Sequence, residues 1–91
     1  MEKVKKKWFV YILRCEDNSL YTGITTDLTK RFEAHISGRG AKYTRAKKPI
    51  RIEFFSTFDS KSLALKEEIR IKKLTKIKKE LLCQSYQLSP F

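Results

Sequence analysis

The sequence predicts a small α+β domain, and three observations lead there. Two stretches with strand character, Trp8–Cys15 and Leu20–Thr25, flank the polar tetrapeptide Glu16-Asp17-Asn18-Ser19. A third alternating stretch follows at residues 50–58. Around these lie three stretches whose apolar residues recur at helical spacing. Ninety-one residues make one domain that buries about 60–65% of its unfolded surface. That leaves room for one sheet and a few helices, but for no deep cavity. The whole chain, 1–91, reads as a single domain with its core at about 8–82, a basic run at 1–7 and a tail at 85–91.

The first two strands form a hairpin, and its register decides what the hairpin can do. A two-residue loop at Asp17-Asn18 would pair Tyr21 with Arg14 and send Tyr11 to the opposite face. A three-residue loop, Asp17 to Ser19, pairs Tyr21 with Cys15 and gathers Tyr11, Leu13, Cys15, Tyr21 and Gly23 on one face. The second register is favoured. It puts two phenols beside a glycine that lets a ligand approach the backbone closely.

Thr26 or Asp27 caps a first helix to about residue 37, where Gly38 and Gly40 stop it. Leu28, Phe32 and Ile36 form its buried stripe, with Arg31 and His35 four apart along one edge. Residues 37–49 form the longest irregular stretch, with five cations, two glycines, one tyrosine and no acid. Arg39, Lys42, Arg45, Lys47 and Lys48 suit phosphate contacts, and Tyr43 offers a ring for base stacking. In the third strand Ile52, Phe54, Ser56 and Phe58 alternate with Arg51, Glu53, Phe55 and Thr57.

A second helix runs from residue 60, or from Asp59 as cap, to about 74. Leu63, Ala64, Leu65, Ile69, Ile71 and Leu74 lie on one apolar arc, opposite Lys66, Arg70 and Lys73. Glu68 falls inside that arc, and an inward carboxylate must be paired, hydrogen-bonded or bound to metal. A third helix, about 75–84, turns Ile77, Leu81 and Leu82 inward and Lys76, Lys78 and Lys79 outward. Lys72 and Lys73 join these lysines in a second basic patch. The tail is pinned by Tyr86, Leu88 or Phe91.

Charge narrows the function. Twenty-one Lys and Arg against ten Asp and Glu leave +11, a field that attracts polyanions and nucleic acid first of all. No apolar run nears the roughly 18 residues of a membrane span, and the start lacks the apolar core of a signal peptide. Cys15 and Cys83, with no CxxC, read as reduced thiols in a cytoplasmic protein. One histidine and two distant cysteines cannot build a structural zinc site.

Taken together these residues resemble a known family. Val10-Tyr11 followed by Tyr21-Thr22-Gly23 is similar to the paired signature of the GIY-YIG nuclease superfamily. Phe9 and Thr22 stand where that signature has its first glycine and second isoleucine. Arg31 lies ten residues after Tyr21, His35 four further on, and Ala64-Leu65-Lys66-Glu67-Glu68 matches the Ala-x-x-x-Glu helix. The loop Gly40-Ala41-Lys42-Tyr43-Thr44-Arg45 resembles that of the small stand-alone bacterial members.

The resemblance implies a three-stranded antiparallel sheet flanked by helices, cutting a phosphodiester with one divalent ion, magnesium or manganese. It implies that Tyr11 and Tyr21 are the family's tyrosines, one of them a general base. Arg31 would then neutralise the phosphoryl group, His35 would assist proton transfer or phosphate binding, and Glu68 would hold the metal. In-line hydrolysis needs those parts: an activated water, a cation on the non-bridging oxygens and a metal near the leaving oxygen. The expected partner is nucleic acid, DNA ahead of RNA, with no membrane and no small-molecule cofactor. The rival expectations are a nucleic-acid binder on the same fold with little or no catalysis, and a basic RNA-associated structural protein.

Overall fold

The computed structural model describes residues 6–87. In chain order its elements are β1 (Trp8–Cys15), β2 (Leu20–Thr25), α1 (Leu28–Ile36), α2 (Lys42–Ala46), β3 (Pro49–Phe58), α3 (Lys61–Lys72) and α4 (Lys76–Gln87). The strands form one antiparallel sheet in the order β2-β1-β3, so the aromatic-rich first strand lies at its centre. This is the α+β sheet with flanking helices that the sequence predicts.

The hairpin register differs from the expected one by two residues. Tyr21 pairs with Leu13, not Cys15, and Tyr11 pairs with Gly23. The loop is still three residues long, but it is Glu16-Asp17-Asn18. The Cys15 N–H donates to the Ser19 carbonyl at 2.9 Å and the Asn18 N–H to the Cys15 carbonyl at 2.8 Å. Asn18 takes the left-handed backbone conformation at φ 70°, which asparagine tolerates better than most residues. A slip of two preserves side-chain parity, so Tyr11 and Tyr21 remain on one face.

Alternation along β1 divides the sheet into two differently occupied faces. Val10 and Ile12 meet Phe54, Ala64, Ile71 and Cys83 in the core, with Trp8, Leu20, Ile24, Phe58, Leu82 and Tyr86 packed around them. Burying an Ile or Val side chain fully contributes about 1.5–3 kcal/mol, and Val10, Ile12 and Ile71 are all at 0% exposure. Tyr11 and Leu13 point to the other face, where α1 and α2 pack.

Several boundaries and faces depart from expectation. Asp27 caps α1 by accepting from the Lys30 N–H at 3.1 Å. The buried residue of that helix is His35; Leu28 and Phe32 are half-buried and Ile36 is exposed. The polar stretch at 37–49 is not wholly irregular, since α2 occupies its middle. On α3, capped by Ser60, only Ala64 and Ile71 are buried, while Leu63, Leu65 and Ile69 are exposed. A sheet of three strands is too narrow to cover so broad an apolar arc.

Ile77 and Leu81 are likewise exposed on α4, which turns Cys83 and Glu80 toward the body instead. That helix continues to Gln87, so residues 85–87 belong to it and not to a tail. Tyr86 does pin it, with its ring 5.5 Å from those of Phe54 and Phe55. Leu88 and Phe91, and most of the basic run at 1–7, lie outside the described residues.

β3 breaks its expected alternation at a bulge. Ile12 pairs with Phe54 and Leu13 with Ile52, leaving Glu53 as the extra residue. Glu53 turns inward and accepts from Arg14 Nη2 at 2.8 Å and from Arg51 Nε. Arg14, also buried, bonds Glu80 Oε1 at 2.6 Å and the Asn18 carbonyl at 3.2 Å. One guanidinium thus ties the hairpin turn, β3 and α4 together. Burial opposes ionisation of Glu53, but the two arginines overcome it and hold the carboxyl below its usual range.

Candidate active site

The face that carries Tyr11 brings together residues from β1, β2, α1 and α2. Tyr11 and Tyr21 arrive on neighbouring strands with ring centroids 6.5 Å apart. His35, fully buried, reaches them from the last turn of α1, its ring centroid 5.9 Å from Tyr11 and 5.2 Å from Tyr21. Its Nε2 lies 2.8 Å from the Tyr11 hydroxyl, and its Nδ1 lies 2.7 Å from Thr44 Oγ1 on α2. Arg31, one turn before His35, lies close enough to the Tyr11 phenol for its positive charge to act on it.

Two glycines make this closeness possible. A Cβ on Gly23 would stand 2.5 Å from the Tyr11 hydroxyl oxygen, so the bare strand surface expected to admit a ligand is instead covered by Tyr11 itself. A Cβ on Gly40 would stand 2.2 Å from His35 Nδ1. A side chain at either position would force its neighbour to move, at Gly23 the Tyr11 ring and at Gly40 the His35 ring and backbone.

The electrostatics follow from enclosure. Burial pushes the Tyr11 pKa up to about 12 against the pull of Arg31, with the charges of Tyr21 and Glu68 adding to the rise. Tyr11 is therefore a neutral phenol near pH 7. Burial, reinforced by the Arg31 cation, pushes His35 down to about 4, so its imidazole is neutral as well. Both thiols are buried and free, and burial raises both pKa values, Cys83 to about 11. Neither is a nucleophile at neutral pH.

Glu68 lies between Ala64 and Ile71 on the sheet side of α3, with its side chain 15% exposed and its charge felt at Tyr11. Its ion-pair partner is Lys72 at 3.4 Å, one turn along, and not Arg31. Glu67 is held elsewhere by a two-pronged contact with Arg70 at 2.6 and 2.7 Å. Among the described residues no three acidic, histidine or cysteine side chains cluster to enclose a metal ion. A lone, largely sheltered carboxylate does fit a hydrated magnesium or manganese ion, which takes one or two carboxylates and completes its shell with water and phosphate oxygens.

The cations expected to meet nucleic acid are mostly exposed and border this cluster. Lys42, Tyr43, Arg45, Lys47 and Lys48 lie on or just after α2. Tyr43 stacks on Tyr21 with centroids 5.8 Å apart and planes at 27°. Lys47 also pairs with Asp17 at 2.6 Å, clipping α2 to the hairpin turn. Arg39 bonds Ser37 Oγ at 2.9 Å in the preceding loop. Lys72 and Lys73 end α3 beside Glu68. Tyr11, Tyr21 and His35 are in ring contact with Arg31 beside them, while Glu68 reaches this cluster only through its charge at Tyr11. Sequence pattern alone gives no sign of Gly40 or Thr44 as neighbours of His35, since both belong to a polar stretch without apolar periodicity.

Comparison with known proteins supplies the context. The family model of the GIY-YIG catalytic domain matches residues 7–80. A UPF0213 protein of Cupriavidus necator is 54% identical over 76 residues, spanning 84% of this chain and 83% of its own length. The UPF0213 protein YhbQ of Escherichia coli is 49% identical over 75 residues, 82% of this chain and 75% of its own. Among solved structures, a solution NMR structure of a protein from E. faecalis shares 40% identity at a TM-score of 0.63, covering 100% of this chain and 96% of that one. A UPF0213 protein from Bacillus halodurans, also solved by NMR, shares 46% identity at a TM-score of 0.56, covering 86% and 83%.

Proposed function

The chain belongs to the GIY-YIG catalytic-domain family, and from that premise we propose that it is a metal-dependent endonuclease that hydrolyses phosphodiester bonds in nucleic acid, with DNA the first substrate to test. The observation that carries this reading is the 2.8 Å contact between the Tyr11 hydroxyl and His35 Nε2 inside a cluster that also holds Arg31. A phenol whose pKa stands at about 12 does not serve as a preformed tyrosinate. It serves as a base if it hands its own proton on while taking one from water. His35, kept neutral, has a ring nitrogen within reach of that proton. Among the described residues the Tyr21 hydroxyl has no such neighbour, which supports Tyr11 as the base, with the Tyr21 ring packed against it.

Substrate charge assists the transfer. Arg31 is one of the two causes that depress His35. A phosphodiester seated against Arg31 offsets that charge, so the histidine becomes more basic as substrate arrives. Arg31 then stabilises the negative charge that grows on the non-bridging oxygens. Glu68 would hold a divalent cation, which would supply Lewis-acid chemistry when bound. The exposed cations Lys42, Arg45, Lys48 and Lys73 attract the backbone, and Tyr43 offers an aromatic face to an unpaired base. No described helix is long and apolar enough to cross a membrane, and a cytoplasmic setting completes the reading.

A second reading, binding without cleavage, draws on the burial of Tyr11, which is 2% exposed. Nicking of supercoiled plasmid and cutting of branched DNA, with magnesium or manganese and with chelator, separates the two. Tyr11→Phe should lose about two or more orders of magnitude in rate with binding retained. Nicking by Tyr11→Phe at the unaltered rate would remove Tyr11 from the chemistry.

A further inference from the structure

Both ring nitrogens of His35 have a partner, and those partners determine where its single proton sits. A neutral imidazole donates from one nitrogen and accepts at the other, while a hydroxyl has one proton to give. Thr44 Oγ1 lies 2.7 Å from His35 Nδ1 and donates to the Ala41 carbonyl oxygen at 2.9 Å. A carbonyl only accepts. The Thr44 proton is thus committed to Ala41, and its oxygen can meet Nδ1 only as an acceptor from Nδ1–H. That leaves Nε2 with a bare lone pair facing the Tyr11 O–H at 2.8 Å.

We propose that Thr44 is a positioning residue that fixes His35 as its Nδ1–H tautomer and so reserves Nε2 as the acceptor of the Tyr11 proton. The chain of donors runs in one direction: Tyr11 O–H to His35 Nε2, His35 Nδ1–H to Thr44 Oγ1, Thr44 O–H to the Ala41 carbonyl. In the opposite tautomer Nε2–H would donate to the Tyr11 oxygen, and the phenol would have no route for its own proton. Thr44 is suited to the task because it is 2% exposed and water does not compete for its hydroxyl. Gly40 closes the same edge of the ring, where a Cβ would stand 2.2 Å from Nδ1. The segment that carries the exposed cations Lys42 and Arg45 therefore also carries the group that orients the histidine.

The consequence for rate rests on the endonuclease reading; the tautomer does not. Nitrogen-15 NMR of the imidazole in the folded protein at neutral pH reads it directly. Unaltered protein should show a protonated Nδ1 and an unprotonated Nε2. Thr44→Val removes the hydroxyl at nearly constant volume and should lose that pattern, and Thr44→Ser should restore it. A protonated Nε2 in the unaltered protein overturns the proposal whether or not any variant folds. So does a folded Thr44→Val with Nδ1–H unchanged. Where cleavage is measurable, Thr44→Val should lower turnover about tenfold or more with DNA affinity unchanged, and Thr44→Ser should recover it. A protein that never cuts, yet shows the Nδ1–H pattern, would defeat the endonuclease reading and leave the Thr44 assignment standing.

Discussion

Tyr11 faces its direct cross-strand partner Gly23 across a gap too small for a methyl group: a Cβ there would lie 2.5 Å from the hydroxyl oxygen and 2.8 Å from the Cζ to which it is bonded. Gly23→Ala should therefore push the phenol away from His35 while leaving the strand in place, since alanine is no worse than glycine for extended backbone. Displacement of a reacting group by about 1 Å can cost about two orders of magnitude in rate. Cleavage and DNA binding measured on one preparation test this, with rate lost and binding kept as the expected pair.

Arg31 has two effects that one substitution can separate. Arg31→Ala should lower cleavage by about 10²–10³ if it stabilises the developing phosphoryl charge, with a smaller loss in binding. It should also raise the His35 pKa from about 4, because one of the two causes of the depression is gone. Arg31→Lys keeps the charge and loses the planar fork, so rate should recover only in part. NMR titration of His35 beside the cleavage assay reads both effects.

Glu68→Gln should abolish metal-stimulated cleavage and leave thermal melting nearly unchanged. Its ion-pair partner is Lys72, whose side chain is 53% exposed, so removing the carboxylate strands no buried cation. Because the lysine end of the pair stays in solvent, losing it costs about 1 kcal/mol or less. Rate titrated against magnesium or manganese, together with a melting curve, decides the matter. A variant that melts early and still cuts would make Glu68 a structural acid.

Stability should fall as pH drops from about 6.5 to about 4. The folded state holds His35 neutral down to about 4, whereas the unfolded chain takes up a proton near 6.5, so the unfolded state binds more protons between those values. Stability is therefore fully present above the unfolded pKa and lost on acidification, by at most roughly 3 kcal/mol from this residue. Glu53 and Glu80, whose pKa values are lowered by arginine, add a loss in the same direction at lower pH. Denaturant melts of unaltered protein and His35→Gln across this range should show a shallower slope in the variant.

Much of this arrangement is legible in the residues. The hairpin is marked by its aromatic arms, Arg31 and His35 by their spacing of four, and Glu68 by an angle that falls between Ala64 and Leu65, one turn from Ile71. What is not legible depends on contacts from elsewhere in the chain. Asn18 in the left-handed region moves the loop one residue earlier than the turn chemistry alone suggests. Glu53 becomes an inward acid only through a bulge against β1, and a bulge leaves no trace in an alternating pattern. Five residues of α2 carry no apolar stripe, because the helix turns Thr44 inward where a hydrophobic residue would ordinarily be sought. The leucines and isoleucines of α3 and α4 mislead in the other direction, since helical spacing records which residues share a face and not whether anything covers it.

The division of the sheet into two faces bears on how such a protein can diversify. Val10, Ile12, Ala64, Ile71 and Cys83 form the packed side, while Tyr11, Arg31, His35, Tyr43 and Thr44 stand on or over the other. Of the residues placed in the chemistry, Glu68 alone rides on a core helix. Randomising the exposed positions 42, 43, 45 and 48 would therefore explore new substrate contacts without disturbing the packing that keeps the chain folded. A selection for altered substrate choice has a surface of its own to work on, and Glu68 marks where that freedom ends.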